Sequence, residues 1–124
     1  MKKFVLFAAL LFSVSVFSQN FTQAYQDKVN LVSQTNINGY LTEFATLGVK
    51  KTGTVANNNA FTWLKNKYIS FGYADSEISE NAFTYSGNST KNLIITKTGT
   101  TYPNTFIIVC GHYDTIVGPG VNDN

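Results

Sequence analysis

The sequence contains no arginine, and its 124 residues include one cysteine, one histidine and two prolines. Without arginine, and with no run of lysines interleaved with aromatics, there is little from which to build a phosphate-reading surface, so nucleic acid is excluded as a partner. A lone Cys110 forms no disulfide within the chain; its place in the apolar stretch Phe106-Ile107-Ile108-Val109 predicts a small buried hydrophobe. With one histidine, any imidazole chemistry falls on His112. Charge is also scarce. Setting Lys2 and Lys3 aside, the nine lysines become seven against seven acids, and the remainder is near neutral.

The apolar run Phe4 to Phe17 covers fourteen residues, short of the ~20 that span a bilayer, and Ser13 and Ser15 dilute it. Lys2-Lys3 before it and the small or slim residues Val16 and Ser18 ahead of Gln19 give the pattern of a secretory signal peptide cleaved after Ser18. The expected organisation is a leader over 1–18 and a domain from 19 to 124, placing the mature protein outside the cell or in the periplasm, with no stable membrane span.

Past the leader, Tyr25, Val29 and Val32 lie at helical spacing and predict a helix over Phe21 to Val32. A second helix is capped by Asn36, carries Ile37, Tyr40, Leu41, Phe44 and Leu47 on one face, and stops at Gly48. Lys50 to Ala56 reads as a loop. Asn57-Asn58-Asn59 offers caps for a third helix with an apolar stripe of Phe61, Leu64, Tyr68 and Phe71, ended by Gly72. From there the composition turns β-branched and aromatic, with strands predicted at Glu77 to Tyr85, Asn92 to Lys97 and Thr105 to Gly111. The polar stretch Ser86 to Lys91 joins the first two. Its Asn88-Ser89-Thr90 has the form of a glycosylation sequon and is read as a polar turn. The fold class is α/β, a mixed central β-sheet flanked by helices.

The nearly continuous apolarity of Phe106 to Cys110 predicts a strand buried on both faces in mid-sheet. It breaks into Gly111-His112-Tyr113-Asp114, and in open α/β sheets functional groups gather at such carboxyl ends of strands. A neutral imidazole is a good zinc ligand when an acceptor holds its second nitrogen. Asp114, two residues on and on the same face of an extended chain, is the candidate acceptor. Gly118-Pro119-Gly120 then forces a turn that can return Asp123 towards His112. A carboxylate there could bridge two cations roughly 3.5–4 Å apart, the arrangement two-metal hydrolases use. Taken singly, His-x-Asp is a common hydrogen-bonded pair and Asp123 a common turn residue. It is their order that points to a metal site.

Gly111-His112-Tyr113-Asp114-Thr115 and Pro119-Gly120-Val121-Asn122-Asp123-Asn124 closely resemble the M28 family of zinc peptidases, which carry Gly-His-x-Asp-Ser followed by Pro-Gly-Ala-Asp-Asp-Asn. Upstream, Trp63-Leu64, Gly72 and Lys91-Asn92-Leu93-Ile94-Ile95 before Gly99 look like the family's helix and its Asn-Val-Ile-Ala strand, so the resemblance runs from about Gln34 to Asn124. It implies a secreted aminopeptidase that cleaves peptides or proteins with a zinc-activated water at a site of two zinc ions. His112 would bind one zinc, Asp114 would orient His112, and Asp123 would bridge both ions. The family's catalytic Glu with its adjacent acidic ligand, a further Asp or Glu ligand and a late His would follow Asn124, so the chain alone is expected to be inactive. Thr115, Val121 and Asn122 depart from the family's usual Ser, Ala and Asp. None of these is a ligand in the family, although Asn122 removes a negative charge beside the site.

Two other functions share this outline. One is a non-catalytic secreted binding or receptor-like relative, which keeps the fold and loses ligands. The other is an acyltransferase of the glutaminyl cyclase type. With only three predicted strands, a sheet edge stays open and the apolar residues of Phe106 to Cys110 lack cover, so the isolated polypeptide is expected to be marginally stable or aggregation-prone.

Overall fold

The computed structural model describes residues 21–116, and the chain divides into two compact units, Met1–Gln34 and Thr35–Asn124. The predicted leader at 1–18 and the Gly-Pro-Gly turn with Asp123 lie outside the described residues. In the first unit, helix α1 (Gln23–Val29) carries side-chain bonds one turn apart, from Gln23 to Asp27 at 2.7 Å and from Gln26 to Asn30 at 2.8 Å. It is shorter than predicted. After Val29 the chain tightens into three-residue bonds, Leu31 N–H to Lys28 O and Val32 N–H to Val29 O, which end the α ladder.

The second unit is built on two helices. Helix α2 (Gln34–Ala45) meets α3 (Val55–Ser70) through aromatic contacts: Phe44 lies 5.1 Å from Trp63, and Tyr40 lies edge-on 5.5 Å from Phe71 just past the end of α3. Lys67 pairs with Glu43 at 2.7 Å and caps the Tyr40 and Trp63 rings at 4.8 and 5.2 Å. Of the predicted α2 face, Tyr40 and Phe44 make this contact, whereas Ile37 and Leu41 stay exposed. Gly48 and Gly72 follow the two helices with positive φ, as the stop signals predicted.

The start of α3 differs from the sequence expectation by a turn. Thr54, not Asn57, is the cap, its hydroxyl accepting from the Asn57 N–H at 3.2 Å. A threonine three residues ahead of an available N–H satisfies one orphan donor of the first turn. Asn57 is thereby released from capping and turned inward, where it is 2% exposed.

Strands β1 (Ile78–Tyr85) and β2 (Asn88–Ile95) form an antiparallel pair, and Tyr85 faces Asn88 across a two-residue turn. Ser86 and Gly87 have φ of 48° and 78°, the positive values that a type I′ turn requires at both central positions. Asn88 to Lys91, read from sequence as connecting loop, are therefore strand. The tight turn leaves the chain no other course, because Ser-Gly supplies both left-handed residues.

The third predicted strand does not form. Among the described residues the sheet has two strands, and 105–110 makes no ladder. Phe106 is 77% exposed and Ile107 93%, and Cys110 is exposed rather than buried. An apolar run becomes a buried strand only when a neighbour pairs with it and a layer covers it, and no described element does either. The fold is a small mixed unit of helices with a two-stranded antiparallel sheet, α/β in the broad sense. Among the described residues the buried apolar side chains, Ala60 and Phe61, sit in the first half of α3. No helix among the described residues is long and apolar enough to cross a membrane.

Candidate functional site

The segment Gly111 to Thr115 returns from the exposed 105–110 stretch and docks where the first turns of α3 meet β2. Tyr113 anchors it. The Tyr113 hydroxyl donates to Lys91 O at 2.9 Å, and its ring packs edge-on to buried Phe61 at 6.3 Å. Thr115, 5% exposed, brackets the peptide of Lys50: Lys50 N–H donates to Thr115 Oγ1 at 2.9 Å, and Thr115 N–H to Lys50 O at 3.4 Å. The same Lys50 carbonyl accepts from Asn57 Nδ2 at 3.1 Å. Both flanks of Asp114 are thus held by buried groups.

His112 and Asp114 come together as the His-x-Asp spacing predicts. The His112 Nδ1 atom lies 2.9 Å from the main-chain oxygen of Asp114 and 3.4 Å from its Oδ1. A carbonyl oxygen only accepts, so this contact places the ring proton on Nδ1 and leaves the lone pair of the neutral ring on Nε2. The carboxylate, which the spacing predicts as acceptor, is the farther partner; the main-chain oxygen is the closer one. The carboxylate is instead shared with Thr52, whose hydroxyl donates to Asp114 Oδ2 at 3.5 Å. Side chains of His112 and Asp114 are 55% and 39% exposed, so the pair is open to solvent and to ligand.

An open cleft of about 280 Å³ adjoins the pair, with Thr52, Phe83, Tyr85 and Asn92 among its walls. Phe83 and Tyr85, alternate residues of β1, share a face of the hairpin and are 42% and 62% exposed. Lys91 also borders the cleft, but its ammonium is bound to Glu80 at 2.7 Å and stands 4.1 Å over the Phe61 ring. Hydrogen bonds from Lys65 and then Lys91 hold the Glu80 carboxyl below the usual glutamate range. The cleft therefore presents aromatic and neutral polar walls, with Asp114 as its carboxylate.

The imidazole, with one nitrogen held by an acceptor and the other carrying its lone pair, fits the chemistry of a zinc ligand. Among the described residues, however, no three His, Cys, Asp or Glu side chains are grouped to hold a metal. Asp123, the predicted second ligand, lies outside them. Thr52, Asn57, Tyr113 and Thr115 were not singled out from sequence. Asn57 is predicted as a helix cap, and Thr54, three residues before it, is the signal that its side chain is free for another use. Comparison of the chain with family models, curated proteins and solved structures returned no match.

Proposed function

We propose that the chain belongs to an exported zinc-dependent exopeptidase of aminopeptidase type, acting on peptides or proteins. The observation that supports this reading best is the Nδ1 contact of His112 with Asp114, which leaves Nε2 as a ligand atom beside an open cleft. His112 would hold one zinc, Asp114 and the bracketed Thr115 would keep the ring in place, and Asp123 would supply a carboxylate shared between two ions. Bound zinc would supply Lewis-acid polarisation of a scissile carbonyl and acidify a water. The cleft walls would receive the substrate chain, with Phe83 and Tyr85 offering apolar contact.

In this scheme the chain's own residues orient and hold. The remaining ligands and the base that takes the proton come from outside residues 21–116. His112→Ala in the full-length protein tests it, by zinc content and by hydrolysis of aminoacyl anilides. The reading expects loss of one zinc equivalent and at least a hundredfold loss of kcat/KM. Unchanged zinc content and activity would end it.

A further inference from the structure

We propose that Asn57 is a positioning residue for His112, acting through the Lys50 peptide. The inference rests on the reading of His112 as a metal ligand, and it adds a residue that neither the motif nor its spacing assigns.

The geometry is a short chain of contacts, buried around Lys50 and open to solvent at His112. Asn57 is 2% exposed at the third position of α3. Its Nδ2 donates to Lys50 O at 3.1 Å, and its Oδ1 accepts from Thr90 Oγ1 at 3.5 Å on β2. The orientation of the amide follows from chemistry, because Lys50 O can only accept and so must face the NH₂ end. From Lys50 the path continues through Lys50 N–H to Thr115 Oγ1 at 2.9 Å, and Thr115 is bonded directly to Asp114, whose main-chain oxygen holds His112 Nδ1 at 2.9 Å. The links at Lys50, Thr115 and His112 each involve a main-chain group. Removing the Asn57 donor takes from Lys50 O its 3.1 Å partner and leaves it the longer bond from Thr115 N–H at 3.4 Å.

The two ends of the Asn57 amide separate positioning from simple support. Asn57→Asp keeps an acceptor for Thr90 and loses the donor to Lys50 O. Thr90→Val cuts the β2 branch and leaves the Lys50 branch intact. Because His112 is the only histidine, nitrogen-15 shifts of its ring report its tautomer without ambiguity. The wild-type chain is expected to hold the Nδ1–H form. Asn57→Asp is expected to move the ring towards the Nε2–H form that imidazole prefers in water and to weaken binding of zinc, supplied alone, by about tenfold or more; Thr90→Val should change neither. A folded Asn57→Asp chain with the wild-type tautomer overturns the proposal, and so does an equal tautomer shift in Thr90→Val. Should Asn57→Asp not fold, Thr115→Val and Thr115→Ser decide. The serine variant keeps the acceptor for Lys50 N–H and the wild-type tautomer, the valine variant loses both, and identical tautomers in the two refute the relay. Absence of zinc from the wild-type full-length protein would defeat the metal reading alone, since the tautomer still judges the role of Asn57.

Discussion

Replacing Phe61 by alanine tests where the core lies. Phe61 is 3% exposed, packs edge-on to Tyr113 at 6.3 Å and carries the Lys91 ammonium at 4.1 Å. Truncating a buried phenylalanine costs about 3–5 kcal/mol, cavity included, and the ring contact with Tyr113 contributes about 0.5–1.5 kcal/mol of that. A loss near ~4 kcal/mol approaches the whole stability of a small domain, about 5–15 kcal/mol. At about 4–8 °C per kcal/mol, Tm should fall by roughly 15 °C or more. Ile107→Ala is the control: at 93% exposed, its side chain has little burial to lose, and the change should stay within about 0.5 kcal/mol. Urea denaturation followed by fluorescence of Trp63, the one tryptophan, measures both, because its contact with Phe44 reports α2–α3 packing. Equal costs for the two variants, or the reverse order, would show that the 106–110 segment is in the core and would refute the placement of Phe61.

The hairpin turn makes a second prediction. Gly87→Val puts a β-branched residue at φ 78° and should destabilise by about 1–2 kcal/mol, while Ser86→Asn, which supplies the preferred Asn-Gly pair, should raise Tm slightly; opposite signs in thermal melts would contradict the type I′ assignment. Acid stability gives a third. Glu80 is held below its ordinary value of 4.5 by Lys65 and Lys91, and Glu77 by Lys97. A depressed folded pKa means that the stabilisation is complete above pH 4.5 and is lost as pH falls through the folded values, so Glu80→Gln should flatten the stability profile below pH 4.5. The effect should shrink in high salt, since these groups are exposed; an unchanged acid profile in the variant would count against the ion pairs.

Local chemistry was legible in the sequence where a few neighbouring residues decide it. Gly48 and Gly72 mark the helix ends because they take the left-handed backbone there. For His112 the spacing predicts the Asp114 carboxylate as acceptor, whereas the folded chain sets the ring nearer the Asp114 main-chain oxygen, at 2.9 Å against 3.4 Å. The conformation of Phe106 to Cys110 was decided elsewhere, because its apolarity specifies a wish for burial and not the neighbour that provides it. Tertiary structure also decided the use of Asn57. From sequence it was one of three adjacent caps; with Thr54 taking the cap, its amide is left to bridge Lys50 and Thr90, residues that only the folded chain brings to the same place.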